Sequence, residues 1–555
     1  MKRRATLLAL LAGGCSPSGD LEPAAPDRAA PHFTDVTEES GLTMMLTSGE
    51  DPPQFLFEVN GNGAALIDFD RDGDADAFFP NGATVKNTSQ GPGARLFENL
   101  GGLRFRDVTE RAGIDFHRWG TGVSQADLDG DGFTDLFITC YGPNALLWND
   151  AQGGFEDVTA TSGLHGDDWS TSSAFGDLDL DGDLDLYVVN YCDLPITFPP
   201  PQASFLGVQV LKGPQGLPPV PDFLFENQGD GNFKDVSESS GIRNCPPSYG
   251  LGALIVDFDD DGHQDIYVGN DTQASFLFRG LGAGRFQETG VLAGIALNAE
   301  GEAQATMGIA LADVDGDLRP DLFTTNFMQD SNALHQNLGD LQFEDRARQY
   351  DLFLSSRPFL SWGTGFFDFD HDSDEDLVFF NGHIYPEPLC EERGWGYHQE
   401  PVLYRREGDL FELLDAAQAG DWLAEKHCDR GAAFGDLDLD GDVDILVCAR
   451  NEPVRLLRND RDGGNWLLVR LLDPRQGHDP NGYGSRVTLR AGSATQRRWI
   501  ASGASFECTS EIMAHFGLGE GVDHVDLEVR WPDGFLQAVA GVPARTHQLI
   551  TRDSP

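Results

Sequence analysis

A nine-residue string with aspartate at its first, third, fifth and ninth positions occurs seven times in this chain, and self-similarity spaced by several tens of residues marks a repeat architecture. The copies read DFDRDGDAD, DLDGDGFTD, DLDLDGDLD, DFDDDGHQD, DVDGDLRPD, DFDHDSDED and DLDLDGDVD, and they begin at Asp68, Asp127, Asp177, Asp257, Asp313, Asp368 and Asp436. Successive starts lie 59, 50, 80, 56, 55 and 68 residues apart. A second element alternates with the first: FTDVT at Phe33, FRDVT at Phe105, FEDVT at Phe155, FKDVS at Phe233, FQETG at Phe286, FEDRA at Phe343 and a degraded FELLD at Phe411.

The series opens on the phenylalanine element and closes on the aspartate element, which leaves the last unit one strand short. A ring resolves this: if the segment around Phe33 pairs into the final unit, every unit is complete and no sheet edge stays open. Within a unit the pattern predicts four short strands, in the second GTGVSQAD, TDLFITC, NALLWND and GGFEDVT, separated by glycine, asparagine and aspartate turns. The strand after each loop (DLFIT, DLYVV, DIYVG, DLFTT, DLVFF, DILVC) is apolar on successive residues, as in a sheet covered on both faces. The expected fold is all-β: a seven-bladed β-propeller over residues 32–463, closed circularly by the N-terminal strand, followed by a small β-sandwich-like domain over 464–555. A linear solenoid is the alternative, and it leaves the permuted ends unexplained.

The loops carry the chemistry. Candidate metal ligands are Asp68, Asp70, Asp72 and Asp76; Asp127, Asp129, Asp131 and Asp135; Asp177, Asp179, Asp181 and Asp185; Asp257, Asp259, Asp261 and Asp265; Asp313, Asp315, Asp317 and Asp321; Asp368, Asp370, Asp372 and Asp376; Asp436, Asp438, Asp440 and Asp444. Carboxylates packed around one point in a partly desolvated loop repel one another, and a hard divalent cation relieves the strain. Glycine at position six permits the turn that returns position nine to the same ion. The string follows an EF-hand as far as position six, but position twelve here is Phe79, Ile138, Val188, Val268, Thr324, Phe379 or Val447, none able to ligate as a carboxylate. Oxygen-only ligation on a flexible hairpin favours calcium, up to seven ions, in a structural role. The fifth loop departs by Leu318 at position six and Pro320 beside its last aspartate, and the sixth by Ser373 at position six. Asn81, Asn190, Asn270, Asn326 and Asn381, each thirteen residues after the first aspartate, read as turn residues.

Acidic residues outnumber basic ones by 91 to 38, and a net charge of −53 excludes nucleic acid and anionic lipid surfaces as natural partners. The opening MKRRATLLALLAGGC has a basic start, an apolar run too short to span a bilayer and small residues before Cys15. It predicts a lipoprotein signal peptide over residues 1–14, lipid attachment at Cys15 and a linker over 15–31, although a plain signal peptide has the same outline. The expected location is the cell envelope (outer membrane, surface or periplasm) or the medium, with any membrane contact made through the lipid. Seven cysteines follow, and an odd number cannot pair completely. Cys192 with Cys245 and Cys390 with Cys428 flank irregular stretches and are the first pairs to test against buried free thiols.

With the AFGD preceding the loops at Ala174 and Ala433, these units resemble FG-GAP or VCBS repeats, the calcium-binding blades also found in integrin α-subunit propellers. The C-terminal strings NWLLVRL from Asn465, NGYGSRVTL from Asn481, HFGLG from His515 and VRWPDG from Val529 resemble the ASPIC/UnbV domain. Together with NGHIYP at Asn381 they make the chain similar to the family of cartilage acidic protein 1 and its bacterial relatives, here as a lipoprotein member. The resemblance implies architecture and calcium, and it suggests matrix or surface interaction. One departure is GASFECTSE before HFGLG, with an unexpected Cys508.

No HExxH, CxxCH, G-x-S-x-G or P-loop pattern occurs, which weakens the case for an enzyme without closing it. His383, beside Tyr385 and Glu387, is the best candidate for a functional imidazole, against the reading of a hydrogen-bonding spacer. The proline-rich stretch from Pro195 to Pro221 accounts for the 80-residue spacing and is either a lid on one propeller face or a floppy insertion. The leading reading is an exported monomeric protein that presents a surface to an extracellular protein or glycan. The alternative is a calcium-dependent carbohydrate-active enzyme, a propeller-type polysaccharide lyase or hydrolase.

Overall fold

The computed structural model describes residues 32–553 apart from Leu206, Asp230, Asp409 and Asp462. The expected signal peptide, the lipidation candidate Cys15 and the expected linker therefore lie outside the described residues.

Among the described residues, seven antiparallel sheets follow the seven repeats, six of four strands and the fourth of five. In blade 2 the strands are Gly120–Ala126, Asp135–Cys140, Ala145–Asn149 and Phe155–Asp157, the four segments expected from sequence. The innermost strands, Ala65–Ile67, Gly120–Ala126, Ser170–Gly176, Gly250–Val256, Thr306–Ala312, Ser361–Phe367 and Asp429–Gly435, touch in that order, and the last touches the first. The ring closes as expected: Phe33–Asp35 pairs with Arg455–Asn459 as the outer strand of blade 7, Phe33 opposite Asn459.

Alternation is absent from the second strands because both faces are covered. Asp135–Cys140, Asp185–Asn190, Asp265–Asn270, Asp321–Asn326, Asp376–Asn381 and Asp444–Ala449 are buried at every residue. Neighbouring blades share these cores. Phe78 and Leu96 of blade 1, for example, pack with Val123, Leu136 and Ile138 of blade 2, each such side chain contributing about 1.5–3 kcal/mol.

After blade 7 the chain builds two facing sheets. One orders Ala514–Gly519, Asn465–Leu472 and Thr546–Thr551; the other orders Ala494–Trp499, Arg486–Ala491, His524–Arg530 and Leu536–Pro543. Leu467, Val469, Val487, Leu489, Phe516, Leu527 and Val529 fill the space between them. Residues 31–555 form one compact unit, because the stretch between Trp499 and Ala514 leaves the sandwich and enters the propeller's central channel. Ser502–Gly503 adds antiparallel to Gly250–Val256, Ser505 bridges Ile309, and Thr509 bridges Ala65. Ser502 Oγ accepts the amide of Phe175 at 2.9 Å, Ser505 Oγ donates to the carbonyl of Ala432 at 2.6 Å, and Phe506 packs on Trp362 at 4.9 Å. Gly63 is required beside this plug: a Cβ there would fall 1.6 Å from the carbonyl oxygen of Glu507.

The proline-rich insertion is a lid. Its hairpin, Gln202–Phe205 with Val208–Leu211, lays Phe205 against Tyr385 and Trp395 at 5.2 and 6.0 Å. The Tyr141 and Tyr249 hydroxyls donate to the carbonyls of Leu194 and Leu217, both at 2.8 Å. Beneath it Phe55, Phe57, Trp119, Trp169, Tyr191 and Trp362 make an aromatic layer.

Candidate metal centres

Each aspartate loop joins the first strand of its blade to the second. In loops 1, 2, 4 and 5 a carboxylate oxygen from each of positions one, three and nine lies within 4.8 Å of the others; in loop 3 the trio is Asp177, Asp179 and Asp181. In loops 6 and 7, repulsion from Asp368 and Asp370 raises Asp376, and repulsion from Asp438 and Asp436 raises Asp444, in both cases after burial as the largest cause.

Position six is left-handed throughout. Gly73, Gly132, Gly182, Gly262 and Gly441 have φ of 96°, 93°, 109°, 90° and 98°, and Leu318 and Ser373 adopt 68° and 86°. A side chain in that region costs about 1–2 kcal/mol, so loops 5 and 6 keep the shape at the expense of strain. The reward is an amide aimed at position one: Gly262, Leu318, Ser373 and Gly441 donate to Asp257, Asp313, Asp368 and Asp436 at 3.0, 3.0, 2.7 and 2.9 Å.

Position nine does more than the sequence suggests. All seven of these aspartates are at most 4% exposed. One oxygen of each accepts the amide of loop position two, at 2.8–3.1 Å. The other accepts an amide at the end of the third strand, from Asn99, Asn149, Asn227, Gly280, Asn337, Arg406 or Asn459, at 2.7–2.9 Å. These carboxylates therefore pin loop to strand besides facing the cluster. The asparagines were not singled out from sequence, although FEN, LWN, FEN, HQN and LRN at the strand ends were the signal. Their side chains reach the preceding blade: Asn149 Nδ2 donates to the carbonyl of Phe69 at 2.9 Å, and Asn337 Nδ2 to that of Phe258 at 2.9 Å. Of the five asparagines read as turn residues, Asn81 is one, at φ 54° with its Oδ1 accepting the amide of Thr47 at 2.9 Å, whereas Asn190, Asn270, Asn326 and Asn381 are the buried last residues of their second strands.

Burial dominates the electrostatics of the loops. Burial, with only partial relief from backbone amides, pushes Asp68 up to about 6, Asp127 and Asp177 to about 7, Asp321 and Asp436 to about 8 and Asp76 to about 9. Asp177 Oδ1, Asp257 Oδ1 and Asp313 Oδ1 at position one, and Asp70 Oδ1 and Asp438 Oδ1 at position three, are buried without a hydrogen-bond partner. An orphaned buried carboxylate oxygen is costly, and a hard divalent cation bound by oxygen satisfies it. The residues fit such an ion. Position five contributes mainly to the turn: Asp131, Asp261 and Asp440 accept the amides of Phe133, His263 and Asp442 at 2.8–2.9 Å.

The loops differ in the residue that the third strand aims at them. Glu98 and Glu226 add negative charge beside Asp70 and Asp179. Arg279 pairs instead with Asp259 at 2.8 Å and Asp261 at 3.0 Å, and Arg458 offsets Asp438.

The C-terminal sandwich covers this face. Arg470 Nη1 donates to the carbonyl of Gly73 at 2.9 Å, the amide of Asp479 to that of Gly182 at 3.1 Å, Arg497 Nη1 to that of Leu318 at 2.6 Å, and the amide of Gly519 to that of His371 at 2.8 Å. Arg486 pairs with Asp260, and His515 Nε2 meets the carbonyl of Gly441 at 3.0 Å. His383, by contrast, is fully buried on the opposite side, stacked on Trp395, and burial holds it down at about 3. Its Nδ1 accepts the amides of Ile384 and Tyr385 at 2.9 and 3.0 Å, which is the spacer role. All seven cysteines of the described residues are free thiols in the structure, the candidate pairs Cys192 with Cys245 and Cys390 with Cys428 included, and among the described residues no helix is long and apolar enough to cross a membrane.

Among solved structures, YCF48 bound to D1 peptide overlays with a TM-score of 0.41 at 9% identity, covering 79% of this chain and 100% of that one. An Agrocybe aegerita protein that recognises non-reducing terminal N-acetylglucosamine overlays with 0.39 at 16% identity, covering 72% and 91%. The FG-GAP-like repeat family matches residues 127–188 and 257–324, and the ASPIC and UnbV family matches 475–554. The chain is thus an FG-GAP-repeat β-propeller protein with a C-terminal ASPIC/UnbV domain. It is 27% identical to cartilage acidic protein 1 of Mus musculus over 312 residues, 54% of this chain and 44% of that protein, and 27% identical to the Homo sapiens protein over 54% and 43%. The repeats and the C-terminal domain thus resemble those of the cartilage acidic protein 1-like family, and the alignments span less than half the length of those relatives.

Proposed function

We propose that this is an extracellular propeller protein that binds calcium in its aspartate loops as a structural ion and presents a surface to a protein or glycan. The observation that carries the calcium reading is the set of buried carboxylate oxygens without hydrogen-bond partners in loops 1, 3, 4, 5 and 7. Calcium suits them better than magnesium because their spacing varies from loop to loop, and calcium's shell is the less regular. Export, with lipid on Cys15 or without it, supplies the calcium concentration such sites need.

The lid side suits recognition. Phe198 is 67% exposed at the edge of the insertion, and a cleft of about 340 Å³ is lined by Met328, Arg357, Trp395 and His398. The carbohydrate-active alternative needs His383, Tyr385 and an arginine in one deep pocket. His383 and its neighbour Arg430 are both fully buried, with Arg430 donating to the carbonyls of Val59, Gly382, Asp429 and His383. That arrangement supports binding over catalysis.

The test is to isolate the protein from its native cell in calcium, wash the complex with chelator and identify what is released. A protein or polysaccharide that copurifies in calcium and leaves with the chelator is the expected result. A calcium-loaded protein that retains no partner contradicts the recognition role.

A further inference from the structure

The plug holds a cysteine that no other part of the account uses. Cys508 enters the channel 5% exposed, its Sγ accepting the amide of Ala64 at 3.3 Å. On its other side lies the inner strand of blade 7, which is bulged between Asp429 and Ala432 where it faces Ala449 and Val447 of the second strand. Gly431 occupies that bulge, and a Cβ on it would sit 2.3 Å from Cys508 Sγ. Glycine thus opens the inner strand at the point where the thiol approaches. Cys448 of the second strand lies between Val447 and Ala449, opposite this bulge, 0% exposed in the same packed cluster as Cys508; both are free thiols in the structure, and the neighbouring Cys508 side chain holds the Cys448 thiol protonated.

We propose that Cys448 and Cys508 are joined by a disulfide that fastens the plug of the C-terminal segment to the propeller wall. Formation is a thiol–disulfide exchange. A donor disulfide, small-molecule or protein, accepts two electrons and becomes two thiols, while Cys448 and Cys508 lose their thiol protons and gain one S–S bond. The cysteines lie sixty residues apart in sequence and are sealed in the folded chain. The nearby carboxylates Glu507 and Asp429 further disfavour a thiolate there. Exchange therefore takes place while the plug is still entering the channel, and the finished bond is shielded from reductant. An oxidising compartment is where such a bond persists.

The full chain is refolded with oxidised and reduced glutathione, its remaining thiols are alkylated under denaturing, non-reducing conditions, and the peptides are mapped by mass spectrometry. The expected result is one linked peptide pair containing Cys448 and Cys508, with Cys140, Cys192, Cys245, Cys390 and Cys428 alkylated. The melting temperature should also fall when the protein is refolded in dithiothreitol, and Cys508→Ala should abolish that dependence. Alkylation of Cys448 and Cys508 as separate thiols, pairing of either with another cysteine, or a wild-type melting temperature indifferent to reductant overturns the proposal. If the variant does not fold, the wild-type peptide map decides alone.

Discussion

Asp179 and Asp185 stand six residues apart in one loop and hold the fold in different ways. Asp179 accepts the amide of Asp181 at 3.1 Å, whereas Asp185 takes the amides of Leu178 and Asn227 at 3.1 and 2.9 Å while 4% exposed. Asn can replace the first acceptor but turns an amino group toward a donor in place of the second. Asp179→Asn should therefore lower calcium affinity and leave the calcium-free melting temperature unchanged. Asp185→Asn should destabilise even the calcium-free protein, by about 1–3 kcal/mol, as measured by denaturant unfolding. A pH dependence follows from the same burial. Without calcium the folded values of about 6 at Asp68, 7 at Asp127 and Asp177, 8 at Asp436 and 9 at Asp76 lie above the ordinary carboxylate value near 4. Protonated carboxyls then favour the folded state, and that stability is lost as pH rises through the folded values. Calcium-free protein should lose melting temperature between about pH 6 and pH 9, and saturating calcium should flatten the profile by taking the place of the protons. A calcium-free protein that gains stability over that interval contradicts the assignment.

The third strand of each blade decides how much of its loop's charge is left for an ion. Glu98 and Glu226 deepen the negative potential at loops 1 and 3, while Arg279 already neutralises part of loop 4. Arg279→Ala should raise the calcium affinity of loop 4 and leave the others alone, seen in calorimetric titration as one weak site moving into the tight class. An unchanged isotherm would show that the arginine does not compete. Much at this scale was legible in the sequence: four strands per unit and the loops follow from patterns within some eighty residues, and closure by Phe33 follows from the order of the two elements along the whole series. The alternating charge of the third-strand residue was not, because Glu98, Trp148, Glu226, Arg279 and Gln336 share a place in the blade but no residue type. The lid was legible only as a proline-rich surplus, since the aromatic partners of its hairpin, Tyr385 and Trp395, are brought to it by the ring.

Across the whole molecule, the seven loops lie on one face, and the C-terminal sandwich rests on them while its plug threads the ring they surround. The loops hold the sandwich mainly through backbone carbonyls, at Gly73, Gly182, Leu318, His371 and Gly441, so any ion that fixes a loop also fixes its contact. Nothing local in GASFECTSE announces this, because its partners at Ala65, Phe175, Leu254, Ile309 and Ala432 are scattered over most of the chain. On the proposed calcium reading, stability of the ring, docking of the sandwich and ion binding are coupled. At one hundred times its dissociation constant an ion contributes about 2.7 kcal/mol per site, so several sites acting together rival the total stability of an ordinary domain. The most direct measurement is elemental analysis of the purified protein paired with thermal unfolding before and after chelation. The account predicts several equivalents of calcium per chain and a large drop in melting temperature on chelation, reversed by added calcium. A protein that carries no metal and melts at the same temperature in chelator contradicts it.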